Sequence, residues 1–277
     1  MTEGKVAFCF PGQGSQEVGM GRAMSEAYPA ARAVYDRAAE AAGFDVAALC
    51  FEGPIERLSE TDVTQPALVS TELACLAGLT AAGMRPDYVV GHSVGEYAAL
   101  AAAGSIDDRT AAHLTRERGL ATAAAAAATP GAMAAVIGLD DAEVERVCGG
   151  IEGVWAANFN CPGQVVVSGT RDGVAALMAA AEKAGARRAI MLKVSGGFHS
   201  PLTASAEPRL AADETICQHL ECSPCSGLLP NAAGRPASFS SCARPTCAPR
   251  RRPTTSFRRP RHRTIACATR RPPGRVS

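Results

Sequence analysis

Residues 91–95 read Gly-His-Ser-Val-Gly, a G-x-S-x-G pentapeptide that sets one hydroxyl, that of Ser93, between two glycines. On a sharp turn between a strand and a helix, such a serine is a nucleophile for acyl chemistry. The glycines permit the turn, and Oγ is lifted to the mouth of the helix. Three fixed residues of common types also recur by chance, so the flanks decide. Before the pentapeptide, Tyr88-Val89-Val90 is short, aromatic and β-branched; after it, Glu96 to Ala103 is rich in alanine and leucine, with no breaker until Gly104. Strand, turn and helix are therefore predicted in the order the chemistry needs.

A serine nucleophile needs a base, and three histidines precede residue 200. His92 adjoins the serine, but at such a turn its side chain points away, which suits a structural role. His113 lies in the helical run 109–128 and reads as a surface or core residue. His199 follows the small-residue turn Ser195-Gly-Gly-Phe198 and precedes Ser200-Pro201. A loop histidine just past a strand end is well placed to take a proton from Ser93. Between Asp172 and Glu207 the only acid is Glu182, on a predicted helix, so a Ser-His dyad is the economical arrangement. Oxyanion donors are sought in the Val94 N–H and in the turn Pro11-Gly-Gln-Gly-Ser-Gln16, with Gln13 central. That turn has neither the lysine of a P-loop nor the spacing of a dinucleotide fingerprint.

The elements that must position these groups alternate between strand and helix up to residue 126. Val6–Phe10 reads as a first strand, and helices are predicted at 25–42, 66–82 and 109–128. The texture then changes to strand 132–138, helix 140–148, strands 154–158 and 164–168, helix 172–184 and strand 188–194. That β-α-β-β-α-β order defines the ferredoxin-like motif, inserted into a larger α/β unit. A composition with 47% hydrophobic and 20% charged residues is that of a soluble globular protein. No apolar stretch approaches the roughly 18 residues of a membrane helix, and the start leaves no room for a signal peptide. Cys9, Cys50, Cys75, Cys148 and Cys161 read as reduced core residues of a cytoplasmic protein.

The net charge of +1 hides two unlike regions. Residues 239–277 hold 11 arginines, six prolines and three cysteines, with no Lys, Asp or Glu. With 28 basic residues in all, 17 are left in residues 1–238 against 27 acidic ones, a net of −10. The tail shows no periodicity and is expected to be disordered. Its arginine runs could be read as a nucleic-acid-binding arm, but the abrupt loss of Asp, Glu and Lys favours translation of a GC-rich gene in a wrong frame. Cys222-x2-Cys225 and Cys242-x4-Cys247 fit no recognisable finger frame, so no metal is expected.

Seven segments together resemble malonyl-CoA:acyl-carrier-protein transacylases, in order and spacing. They are Phe10-Pro-Gly-Gln-Gly-Ser-Gln16, Thr64-Gln-Pro-Ala-Leu68, Gly91-His-Ser-Val-Gly-Glu-Tyr97, Arg116-Glu-Arg-Gly119, residues 131–138, residues 158–169 and Phe198-His-Ser-Pro201. The resemblance covers roughly residues 5–210, and Asn231–Pro236 still looks like the family's next strand and turn. It implies that Ser93 carries the malonyl ester, that His199 is its base, and that Gln13 and the Val94 amide form the oxyanion hole. It also implies that Arg118 holds the malonyl carboxylate, that Gln65 helps near the same pocket, and that Phe198 leaves no space for a 2-methyl branch. A guanidinium fork matches a carboxylate bidentately and stays charged. Coenzyme A and the phosphopantetheine arm of acyl carrier protein then enter as substrates of fatty acid or polyketide synthesis, with no cofactor.

The family's closing segments, one of which orients the histidine, have no counterpart in the tail. The expected fold is therefore a hydrolase-like α/β unit (1–128 and 195–238), an inserted ferredoxin-like unit (129–194) and a tail (239–277), in a monomer. A serine hydrolase or thioesterase is the competing enzyme reading, and an inactive remnant the competing non-enzyme reading. Restoring a frame with Asp, Glu and alternating apolar residues after about residue 238 is expected to raise solubility and activity. Hydrogen exchange over residues 240–275 checks this: slow exchange, with full malonyl transfer by the unrepaired chain, would show that the tail completes the fold.

Overall fold

The computed structural model describes residues 4–213 and a two-residue strand, Arg263–Thr264. The rest of the tail, the segment Asn231–Pro236 and the cysteines at 222, 225, 242 and 247 lie outside the described residues. Strand β1 (Ala7–Phe10) pairs in parallel with β2 (Tyr88–Gly91), Phe10 opposite Gly91. A parallel pair needs a long crossover. Here it carries α1 (Arg22–Ala27), α2 (Pro29–Ala42), α3 (Val46–Glu52), α4 (Ile55–Leu58) and α5 (Thr61–Ala81). After β2 come α6 (Glu96–Ala102) and α7 (Asp108–Ala128). The register puts the turn after β1 beside the turn after β2, at the carboxyl ends of both strands, where open parallel sheets bind ligands.

Within the tail, β7 (Arg263–Thr264) pairs in parallel with Tyr88 and Val89 of β2. The open side of β2 offers unpaired N–H and C=O groups that an extended segment satisfies.

The second sheet runs β4-β5-β3-β6, every pair antiparallel. Its strands are β3 (Ala132–Ile137), β4 (Val154–Cys161), β5 (Gln164–Gly169) and β6 (Arg188–Met191). Helices α8 (Asp141–Gly149) and α9 (Arg171–Lys183) cover one face, packing Val144, Val147, Val174 and Leu177 against Ala134, Val136, Val165 and Val167. Met133, Ala135 and Val166 form the other face, which meets Leu192, Val194 and Phe198. The connection between β4 and β5 is shorter than the sequence suggests, because β4 runs on to Cys161 and Gly163 turns the chain at φ 78°.

Helix boundaries differ from expectation where proline acts. The predicted helix 25–42 breaks at Tyr28, which is extended (φ −131°) before Pro29 at the first position of α2. A residue before proline is pushed out of the helical region, whereas proline itself suits a helix start. Helix α5 begins five residues before the predicted start at 66 and carries Pro66 in its interior. The large core gathers α2, α3, α5 and α6 around Val34, Tyr35, Val46, Leu58, Leu68 and Val69. Of the cysteines read as core, Cys50 and Cys148 are buried and Cys75 half-buried, but Cys9 and Cys161 are exposed. Cys161 lies at the exposed end of β4, and Cys9 on the face of β1 opposite Phe8 and Phe10, which turn to the core. Among the described residues, no helix is long and apolar enough to cross a membrane.

Glu72 lies buried in α5, and neither carboxyl oxygen has a hydrogen-bond partner among the described residues. Burial pushes its pKa up to about 9 from 4.5. Between those values the folded state keeps a proton that the unfolded chain releases, so stability falls as pH rises, by about 1.4 kcal/mol per pH unit. Glu72→Gln should therefore stabilise the protein increasingly from acid to alkaline pH in urea titrations. A difference between parent and variant that does not grow with pH would remove this account.

Candidate active site

The turn after β2 holds its shape because two glycines let backbones touch. A Cβ on Gly91 would come within 2.4 Å of the Glu96 backbone, and one on Gly95 within 2.4 Å of the Phe10 and Pro11 carbonyls. His92 is extended (φ −99°), Ser93 is left-handed (φ 52°), and a 3-10 turn, Ser93–Gly95, leads into α6. A left-handed serine is strained and persists only where its surroundings over-determine it. The N–H of Val94 lies in the first turn of this helical start, where intrahelical acceptors are lacking. Tight packing of Gly95 brings the Pro11–Gln16 turn against the same spot.

His199 arrives from the other side, on the segment that follows β6. It too is left-handed (φ 58°). Ser200 fixes the loop: its Oγ donates to the Gly197 carbonyl (2.5 Å) and accepts from the Leu202 N–H (3.3 Å). The result sets His199 Nε2 2.8 Å from Ser93 Oγ, across 106 residues of chain. Desolvation, the Arg118 guanidinium and then His92 lower the histidine pKa to about 4 from 6.5. At neutral pH the imidazole is therefore unprotonated, as a general base must be. Among the described residues no carboxylate is hydrogen-bonded to it.

Arg118 lies on α7 and reaches the same serine, its Nη2 3.2 Å from Ser93 Oγ. Its Nη1 donates to Gln65 Oε1 at 2.6 Å, and Gln65 Nε2 donates to Thr122 Oγ1 at 3.1 Å. Among the described residues Arg118 makes no ion pair, and burial lowers its pKa. Glu96, raised to about 7 mainly by burial, is a neighbouring acid. The cleft thus combines a serine hydroxyl, an unprotonated imidazole and a cation whose hydrogen-bond partners are neutral.

The other residues singled out from sequence divide. Gln13 lies in the adjoining turn, with Nε2 3.3 Å from Thr61 Oγ1, which in turn meets Ser195 Oγ at 2.9 Å. His92 turns away from Ser93, its Nε2 3.2 Å from Asn160 Oδ1 on β4. His113 pairs with Asp213 at 3.0 Å. Phe198 packs on the second sheet, among Met133, Ala135 and Val166. Sequence reasoning missed Thr61, Thr122, Ser195 and Arg116. The last lay inside a quoted motif; the hydroxyls carried no signal, because their partners are remote in sequence.

Such a site, a serine hydroxyl on a strand-turn-helix bonded to an imidazole, suits acyl-transfer chemistry, and an acyltransferase is the class that the family match gives. The chain belongs to the family described as the acyl transferase domain, whose family model matches residues 7–223. It is 45% identical over 210 residues to the malonyl CoA-acyl carrier protein transacylase of Bacillus subtilis (strain 168), covering 74% of this chain and 66% of that one. The Escherichia coli (strain K12) protein of the same name is 43% identical over 213 residues, 76% of this chain and 69% of its own. A solved malonyl CoA-acyl carrier protein transacylase from Coxiella burnetii superposes with a TM-score of 0.74 at 38% identity, covering 78% and 69% of the two chains. A type II PKS acyl-carrier protein in complex with its malonyl-transacylase gives a TM-score of 0.72 at 38% identity, over 75% and 69%. The chain spans about two thirds of the length of these relatives.

The lowered His199 pKa sets a pH test. Acylation of Ser93 should stay flat through the neutral range and fall as pH drops through about 4, where the base is protonated. An inflection near 6.5, the ordinary histidine value, would contradict the described environment. His199→Ala should slow acylation by roughly 10² to 10⁴.

Proposed function

We propose that this chain transfers a malonyl group from coenzyme A to the phosphopantetheine thiol of acyl carrier protein, through an ester on Ser93. The observation that carries the reading is the Arg118 guanidinium, 3.2 Å from Ser93 Oγ and without an ion pair among the described residues. A buried cation is costly unless it meets an anion, and a fork of N–H donors suits a carboxylate. An acyl group bound to Ser93 and ending in a carboxylate supplies that anion. The names of the relatives support the substrates, and the relative solved with its acyl-carrier protein supports the partner.

Ser93 Oγ attacks the thioester carbonyl while His199 Nε2 takes its proton. The negative charge on the carbonyl oxygen is met by the Val94 N–H and the Gln13 turn. The intermediate collapses, the coenzyme A sulfur leaves with the proton from His199, and malonyl-Ser93 remains. In the second half the phosphopantetheine thiol gives its proton to His199 and attacks the ester. Ser93 leaves and recovers the proton. Gln65 holds Arg118 in place for the malonyl carboxylate, and Phe198 bounds the acyl pocket against a 2-methyl branch. The parallel sheet with α1–α7 forms the hydrolase-like unit, and residues 129–194 the inserted ferredoxin-like unit. No cofactor enters these steps; the reaction serves fatty acid or polyketide synthesis.

Mass spectrometry after mixing with malonyl-CoA tests the proposal. A malonyl adduct on Ser93 that passes to carrier protein supports transfer, fast release of free malonate means a hydrolase, and no adduct means a remnant. Ser93→Ala should abolish labelling. Arg118→Ala removes a charged hydrogen bond worth about 2–5 kcal/mol. Malonyl transfer should fall steeply while acetyl transfer holds or rises. Equal losses on both acyl groups would make Arg118 structural.

A further inference from the structure

Pro66 has no N–H, so it cannot bond the carbonyl four residues back in α5. That carbonyl belongs to Asp62. It is not left empty: Arg116 Nη1, from α7, donates to it at 2.6 Å and to Asp62 Oδ2 at 2.8 Å. Arg116 is largely buried, with its guanidinium 5.3 Å from the centre of the Phe44 ring. One turn along α7, Gly119 lies so close that a Cβ would come within 2.8 Å of Asp62 Cα and 2.9 Å of the Thr61 carbonyl. One turn along α5 from Asp62 is Gln65, which accepts from Arg118. The two helices therefore grip each other through two consecutive turns. In one, Arg116 and Gly119 clasp Asp62; in the next, Arg118 and Thr122 clasp Gln65.

We infer that Arg116 is a positioning residue for the Gln65–Arg118 pair: by replacing the helical donor that Pro66 lacks, it holds the α5–α7 crossing at the depth that brings Arg118 to Ser93. The inference rests on the malonyl reading for its effect on substrate choice, but its structural half stands on the Asp62 carbonyl alone. Without Arg116 that carbonyl loses the donor that stands in for the missing amide, at a tight contact between the two helices. The first turns of α5 relax away from α7, Gln65 shifts, and Arg118 loses the acceptor that orients it. Arg116 touches neither substrate nor the reacting atoms.

The proline makes the idea testable, because an amide N–H restored at position 66 supplies the missing donor from within α5. Four full-length chains are compared: the parent, Arg116→Met, Pro66→Ala and the double variant. The readouts are the ratio of malonyl to acetyl loading on Ser93 and the thermal midpoint. Arg116→Met is expected to lower the loading ratio by about tenfold and to lower the midpoint; the double variant should recover most of both losses. An unchanged ratio in Arg116→Met would reduce Arg116 to an ordinary ion pair and overturn the inference. So would a double variant no better than Arg116→Met. Should the parent take up no acyl group at all, the malonyl reading fails by itself. The midpoints still decide the structural half, since absence of recovery in the double variant overturns it.

Discussion

A part-buried guanidinium whose hydrogen-bond partners among the described residues are all neutral is the constraint around which the cleft is built. Arg118 touches Gln65 and Ser93, both neutral. Charge in such a place is tolerated only when every donor is aimed. That requirement fixes Gln65, which is almost fully buried and spends its own amide on Thr122. Thr122 returns a hydrogen bond to the Arg118 carbonyl, so the pair is tied to α7 at both ends. The same cation depresses the basicity of His199 and moderates the rise in the Glu96 pKa. Burial sets the direction of both shifts, and the charge adds to the first and opposes the second.

The chemistry is assembled from segments that meet at a seam between two sheets. Ser93 comes from the parallel pair, and His199 from the strand leaving the antiparallel one. Two further contacts cross the same seam, His92 to Asn160 and Thr61 to Ser195. Each side supplies a strained residue, and each strain is held by local closure: glycine contacts beneath Ser93, a serine-capped loop beneath His199. Neither half contains a working dyad by itself.

What could be read from the residues divides along the range of the interactions. The elbow was legible because strand, turn and helix are all encoded within about fifteen residues around Gly91 and Gly95. The helix starts expected near 109, 140 and 172 were legible for the same reason: Asp107, Asp140 and Thr170 each accept from a nearby backbone N–H. The start of α5 was not, because proline ordinarily announces a helix beginning. Here the missing donor is supplied from a residue 54 positions away. The polar chain Gln13–Thr61–Ser195 left no trace either, since common hydroxyl residues signal nothing until the fold brings them together. Cys9 misled in the opposite sense: its neighbours Phe8 and Phe10 said nothing about which way its own side chain faces, while Cys161, between Asn160 and Pro162, sits at an exposed strand end.

The chain leaves for the antiparallel sheet and returns from it at a single place. A Cβ on Gly131 would lie 2.6 Å from the Gly197 nitrogen, so backbone entering and backbone leaving are in contact. Everything between is a closed loop whose ends are already pinned, and the entropy of such a loop grows only slowly with its length. Residues can be added to or removed from open turns away from that neck, such as the one at Gly185, without changing how far the returning chain must reach. Length and catalytic register are in this way uncoupled: the inserted sheet is free to vary in size, while the few residues past Gly197 keep delivering an imidazole to the same hydroxyl.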